Sequence, residues 1–255
     1  MNYPFGEKVK KVEQKDRSQK EYFVLGVYAS AVHAKWVGAD NKVKVRALAI
    51  ASEPEIFWKG NMEEAKEIIS KIKIPSEIGK LEVAASNYNG PSGIELDKSY
   101  LIPLGLTRDD VWLCDLLPYS RLNIGQSKAI KREYEPLKNK FNLPEVSIEK
   151  VPSKFSDDKR IKEIVKELKE SGAKKIILLG DIPIREFVNK FNTKYRRLSD
   201  FKEYGKLYEI QIENEKYQIL PLVHPRQAGK LGRSNYNWFQ THQGWIKKKE
   251  NESSI

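Results

Sequence analysis

Four short segments of this chain carry side chains that could do chemistry: GVYASAVH (26–33), SEPEIFW (52–58), Asp115 to Tyr119, and HPRQAGKLGRS (224–234). Their titratable groups include His33, Asp115 and His224, the last held next to the rigid ring of Pro225. Imidazoles and carboxylates act near neutral pH as general bases or as hydrogen-bonding groups, provided they reach the reacting atom. Metal chemistry is not expected. The single Cys114 excludes an intrachain disulfide, a four-cysteine zinc site and a cysteine-ligated iron–sulfur cluster. His242 has no second histidine or acid three or four residues away on its helix. Neither G-x-G-x-x-G nor G-x-x-x-x-G-K-[ST] occurs, so no phosphate-cradling loop of those types is offered and no cofactor is expected.

The elements that must position these groups read as an alternation of strands and helices. Tyr22–Tyr28 (YFVLGVY) is a short apolar run opening into the first loop, as for a buried strand. Val43–Ala51 (VKVRALAIA) reads as a second strand of the same sheet. Asp110–Leu117 (DVWLCDLL) is a third, ended by Pro118. Lys174–Asp181 (KKIILLGD) is a fourth. Met62–Ile72, Ser127–Lys140 and Ser234–Lys248 have helical character, and residues 73–106 read as a long surface loop. Ser156 is a candidate N-cap for a helix with Ile161, Ile164, Val165 and Leu168 on one face and Gly172 past its end. Leu207–Ile212 and Tyr217–Val223 form a hairpin around 213–216. The expected fold is α/β: a three-layer α/β/α sandwich around a central, mostly parallel four-stranded sheet, with a C-terminal hairpin or edge strand. Ligands of such sheets bind beyond the carboxyl ends of the strands, where the four segments lie.

At 255 residues, with no Pro/Gly/Ser-rich linker, the chain reads as one domain with a charged segment at 1–20 and a polar tail at 249–255. Hydrophobic residues make up 40% and aromatics 10%, which excludes disorder. No apolar run reaches membrane-span length and the charged N-terminus lacks a signal-peptide core, so a soluble, cytoplasmic protein without membrane contact is expected. Lys and Arg outnumber Asp and Glu by 46 to 35, a net charge of +11, which favours a polyanionic partner such as DNA or RNA.

Five features occur in one order: the G-x-x-P/A-x type loop GVYAS, an apolar strand leading to the aromatic loop SEPEIFW, the strand-end Asp115, the LLG strand and the late HP loop. In this the chain resembles the uracil-DNA glycosylase superfamily over roughly residues 22–245. The resemblance implies a monomeric enzyme without cofactor that flips a base from DNA and hydrolyses its N-glycosidic bond. By that resemblance His224 donates a hydrogen bond to the base as negative charge builds there. Gly26, Val27, Tyr28, Ala29 and Ser30 form the pocket floor, with Tyr28, Phe57 and Trp58 as candidates for stacking on the base. Asp115 stands where relatives often have an asparagine that reads the pyrimidine edge, and an ionised carboxylate accepts but cannot donate.

The first motif departs from the family in having Tyr28 where many members place Asp or Asn to direct the attacking water. His33 and Asp115 are the remaining candidates for that role. Arg226, Gln227, Lys230, Leu231 and Arg233 resemble the loop that enters the minor groove, Leu231 as an apolar wedge between cations. Basic residues concentrate in Arg121–Lys140 and after Arg226, as candidate phosphate contacts. Ser234, Trp238, His242 and Trp245 share one helical face, read as docking behind HPRQ, with Trp238 and Trp245 in the core. A catalytically silent relative that binds flipped bases is the alternative to an enzyme.

Overall fold

In the computed structural model, which describes residues 1–230 and 236–253, the strands run in chain order as follows. They are β1 (Tyr22–Tyr28), β2 (Ala31–Val37), β3 (Val43–Ser52), β4 (Lys80–Val83), β5 (Val111–Leu117), β6 (Lys175–Leu179), β7 (Tyr208–Ile212) and β8 (Glu215–Leu222). The helices used below are α1 (Met62–Ser70), α2 (Pro91–Leu96), α3 (Ile124–Ala129), α4 (Asp158–Ser171), α5 (Pro225–Ala228) and α6 (Tyr236–Ser253). The chain divides into two compact units. One comprises Met1–Val12, Ala29–Gly93 and Tyr119–Ser153, the other Glu13–Tyr28, Ile94–Pro118 and Lys154–Ile255.

The second unit is an α/β unit, a mixed five-stranded sheet flanked by helices, in the order β5-β1-β6-β8-β7. β1 pairs in parallel with β5 on one side and β6 on the other, and β6 pairs in parallel with β8. β7 is antiparallel to β8 across a tight hairpin in which Glu213 takes a left-handed φ of 52°. Strands buried on both faces carry near-continuous apolar sequence: Phe23, Val24 and Leu25 in β1 and Ile176 to Leu179 in β6 are fully buried. Helix α4 begins where the Asp157 carboxylate accepts the Arg160 N–H at 2.7 Å, not at Ser156, and it ends at Gly172 in the left-handed conformation. Its Ile161, Ile164, Val165 and Leu168 form the buried stripe that the 3.6-residue period requires.

The first unit holds a separate three-stranded antiparallel sheet, β3-β2-β4. This corrects two expectations. Val43–Ala51 is not in the central sheet, and residues 31–33 are not loop: Ala29 and Ser30 alone separate β1 from β2. The decisive sequence is Gly38-Ala39-Asp40-Asn41, where Asn41 adopts φ 59° and the Gly38 N–H donates to the Lys42 carbonyl at 2.8 Å. Such a turn joins antiparallel neighbours, whereas a parallel pair needs a crossover of a dozen residues or more. The core of this unit contains Trp36, Leu48 and Ile50 from the sheet and Tyr3, Ile130 and Tyr134 from outside it. Trp36 donates its indole N–H to the Ile78 carbonyl at 3.0 Å, and Phe5 meets Trp36 and Tyr134 edge-on at 5.4 and 5.1 Å.

Residues 73–106 are also more ordered than a surface loop. They contain β4, α2 and further helical turns to Leu104, and Leu96, Tyr100 and Leu101 are buried. Apolar residues there are spaced irregularly because the helical turns change type along the segment, which hides the 3.6 period. Among the described residues no helix is long and apolar enough to cross a membrane.

Gly90 shows how tightly the loops of the first unit are built. Its φ is 69°, and a Cβ there would lie 2.1 Å from the Gly60 backbone nitrogen. Gly105 has the same φ, and a Cβ there would meet nothing within 4 Å. Gly90→Ala is therefore expected to cost several kcal/mol, and Gly105→Ala only the backbone strain of about 1 kcal/mol. Urea denaturation of the two variants checks this; equal losses would contradict the close approach.

Candidate functional site

The carboxyl ends of β5, β1, β6 and β8 point the same way because the four strands are mutually parallel. The chain leaves β1 for β5 on one side and then passes to β6 and β8 on the other, so the strand order reverses at β1. Ligands of open α/β sheets bind at such reversals. The groups at these ends are Gly26–Tyr28, Asp115, Gly180 and, two residues after β8, His224.

His224 is the N-cap of α5. Its Nδ1 accepts the Arg226 backbone N–H at 3.1 Å, and its carbonyl accepts the Gln227 N–H at 2.7 Å. Pro225 fits the first turn because that position needs no N–H. Burial, assisted by the Arg226 guanidinium, holds the imidazole down to about 4, so the ring is neutral at pH 7. With Nδ1 occupied as an acceptor, the ring's one proton sits on Nε2 and is a fixed donor. Gly180 lets the His224 backbone and Cβ come close: a Cβ on it would lie 3.0 Å from the His224 Cβ, and its φ of 94° suits glycine.

Asp115 is 4% exposed, and among the described residues its carboxyl group makes no hydrogen bond. Burial raises it from 3.8 to about 7, opposed by the Arg160 charge and reinforced by Glu167. A carboxyl displaced that far has its ionised form disfavoured by on the order of 4 kcal/mol. Arg160 fixes the surrounding backbone, donating to the carbonyls of Asp115 at 2.8 Å and Leu116 at 3.1 Å and approaching the Cys114 thiol at 3.3 Å. Its remaining donors meet Glu163 and Glu167 at 3.1 and 2.9 Å. Burial also raises the Tyr28 phenol, with Arg226 and Asp115 acting on it in opposite senses. The ring of Tyr28 stacks on Phe155 at 6.2 Å and 20°. Phe155 and Arg160 were not singled out in the sequence, since neither lies in a strand-end loop.

Gly26, Val27, Tyr28, Asp115, His224, Arg226, Gln227 and Lys230 all belong to the second unit. Arg226 is exposed, while Lys230 lies over the rings of Tyr236 and Phe239 at 4.8 and 4.2 Å. Leu231, Arg233 and Ser234 lie outside the described residues. On α6, Trp245 is buried, but Trp238 is only half-buried rather than core.

Ala29, Ser30, His33, Phe57 and Trp58 belong to the first unit. His33 is a β2 residue whose backbone N–H and carbonyl are both taken by the Asn89 side chain, at 2.8 and 3.1 Å. Its buried Nδ1 has no hydrogen-bond partner, and burial lowers the ring to about 4. Asn89 was hidden in the sequence by its glycine-rich surroundings, which read only as a loop. Trp58 is 2% exposed and donates to Glu64 at 2.6 Å, so it serves the core of this unit and is not available for stacking. Phe57 is half-buried with a left-handed φ of 51°, an uncommon state for an aromatic residue. The Ser30 carbonyl accepts from the Ser120 hydroxyl. In the basic stretch 121–140, Arg121, Arg132 and Lys138 are ion-paired with glutamates. Among the described residues no three His, Cys, Asp or Glu side chains cluster as a metal site.

The chain matches no protein-family profile and no curated protein sequence.

The shifted groups fix how stability depends on pH. His33, His224 and His242 are each held at about 4 in the folded chain against 6.5 for a free imidazole. Between these values the unfolded chain binds protons that the folded chain does not, so stability falls as pH drops from 6.5 towards 4. Asp115 acts oppositely, because the folded chain keeps a proton that the unfolded chain loses between about 4 and 7. Asp115→Asn is therefore expected to stabilise the protein more at pH 8 than at pH 5, by roughly 2–3 kcal/mol in urea denaturation. An equal effect at both values would show that Asp115 is not a strained buried acid.

Proposed function

We propose that this protein is a monofunctional DNA glycosylase that excises uracil or a related deaminated base, and that its second unit is an α/β/α sandwich carrying the site. The observation that carries this reading is the hydrogen bond at His224: its Nδ1 accepts a backbone N–H, which leaves Nε2–H as the ring's donor, and burial with the Arg226 charge disfavours a second proton. Cleavage of an N-glycosidic bond leaves negative charge on the departing base. A preoriented donor that needs no reorganisation stabilises that charge as it forms. A neutral imidazole also avoids binding the ground-state phosphates as tightly as a cation would, which keeps its contribution for the transition state.

Asp115 supplies the second role. β5 and β8 are three strand spacings apart, about 14 Å, with the carboxyl ends of β1 and β6 between them, so a flat heterocycle lying across those ends would be approached from both sides. A carboxyl near 7 with no protein partner suits a general base for the attacking water at neutral pH. It occupies the role left open by Tyr28, whose ring, stacked on Phe155, offers an aromatic wall instead of a carboxylate. The excess of Lys and Arg gives the attraction to DNA.

Incubation with oligonucleotides bearing uracil, hypoxanthine, xanthine or oxidised pyrimidines, read as alkali-labile abasic sites, tests the proposal. Free base and an abasic product are expected. His224→Ala should lower kcat by about 10²–10³ with little change in DNA affinity. Activity should rise with pH through about 7, and Asp115→Asn should remove that rise along with most of the rate. No abasic product from any substrate, with tight salt-sensitive binding, would overturn the enzymatic reading in favour of a silent base-binding protein.

A further inference from the structure

A buried chain of hydrogen bonds ends on the residue just before His224. The His242 ring on α6 is fully buried. Its Nε2 lies 3.0 Å from the Ser99 carbonyl, which can only accept, so Nε2 carries the proton. Burial lowers the ring to about 4, so it is neutral and its Nδ1 is an acceptor. The Tyr204 hydroxyl, 2.6 Å from Nδ1, therefore donates to it. That leaves the Tyr204 oxygen free to accept the Val223 N–H at 3.1 Å. The Val223 carbonyl is taken by the Tyr100 hydroxyl at 2.7 Å. Burial raises both phenols, so neither gives up its proton at ordinary pH.

Val223 follows the last residue of β8 and has left the sheet ladder, so its two backbone groups need partners from elsewhere. Both partners are side chains, and both belong to one cluster: Tyr100 lies 4.7 Å and Tyr204 6.0 Å from the His242 ring, on which Trp245 stacks at 5.2 Å. Every donor in the chain has one acceptor, so the direction of each bond is determined from Ser99 through His242 and Tyr204 to Val223.

We infer that His242, Tyr204 and Tyr100 are positioning residues for His224, holding the Val223 peptide groups so that the imidazole stands at a fixed place beyond β8. The inference rests on the glycosylase reading for its catalytic consequence, but not for its geometry. A side chain serving packing alone needs no hydroxyl at Tyr204. The geometry instead gives that hydroxyl both of its bonds within the chain.

The test compares Tyr204→Phe, Tyr100→Phe, His242→Leu and His242→Gln with the parent protein. Three readouts are taken: Val223 amide hydrogen exchange, the ¹⁵N shift of His224 Nδ1, and kcat and KM on the best oligonucleotide substrate. Tyr204→Phe removes one oxygen and is the variant most certain to fold. It should expose the Val223 amide to faster exchange by at least about tenfold and move the Nδ1 shift. It should also lower kcat on the order of tenfold with KM within about twofold. His242→Gln, which can donate to Ser99 and accept from Tyr204, should recover most of what His242→Leu loses. Unchanged Val223 exchange and unchanged Nδ1 shift in Tyr204→Phe would overturn the inference. So would faster exchange with unaltered kcat. If the parent protein releases no base, the glycosylase reading fails while the exchange and Nδ1 readouts still decide the positioning claim.

Discussion

The hydrogen bond from the Arg226 backbone N–H to His224 Nδ1 is the contact on which the chemistry proposed for the second unit depends. It makes the imidazole serve as a helix cap and a potential catalyst at once. As a cap, the ring gives up its Nδ1 lone pair to an N–H that would otherwise be orphaned at the start of α5. As a result its only proton is on Nε2. Burial and the Arg226 charge keep a second proton off. One local arrangement, His-Pro at a helix start, thus fixes charge, tautomer and direction together.

Much of the surrounding unit can be understood as what lets that arrangement exist. Gly180 just after β6 makes space for the His224 backbone and Cβ, and its φ of 94° could not be held cheaply by another residue. The Val223 peptide groups are bonded by Tyr204 and Tyr100. Two strands from β6, Arg160 gathers the carbonyls of Asp115 and Leu116 and leaves the Asp115 carboxyl alone. Desolvation of that carboxyl is unfavourable, and a fold that keeps it forgoes stability that an amide would supply. In the proposed reaction that carboxyl is the general base.

The α/β class, the buried strands β1, β5, β6 and β8 and the C-terminal hairpin were legible because apolar runs of strand length bounded by Gly, Pro or charge have few other readings. The destination of β3 was not. An apolar strand looks the same in a parallel or an antiparallel sheet, and only the turn at Asp40-Asn41 tells them apart. That misreading also carried His33 and Trp58 into a loop-borne site, whereas one lies in a strand and the other donates to Glu64. His224 and Asp115 stood out as candidates because one follows a strand and the other lies near the carboxyl end of one. Arg160, Phe155, Tyr204 and Asn89 were not, because their roles come from contacts tens of residues away in the chain. The docking of α6 behind HPRQ was legible in the spacing of Trp238, His242 and Trp245. Its polar link through Tyr204 to Val223 was not, because those partners lie 38 and 19 residues apart along the chain.

The central claim is that His224 is a neutral imidazole with its proton on Nε2. A ¹⁵N NMR titration of the histidine ring nitrogens between pH 8 and pH 4 tests it directly. His224 is expected to keep a protonated Nε2 and a hydrogen-bonded, unprotonated Nδ1 from pH 8 to about pH 5, gaining charge only near 4. A ring that titrates near 6.5, or one with its proton on Nδ1 at neutral pH, would contradict it.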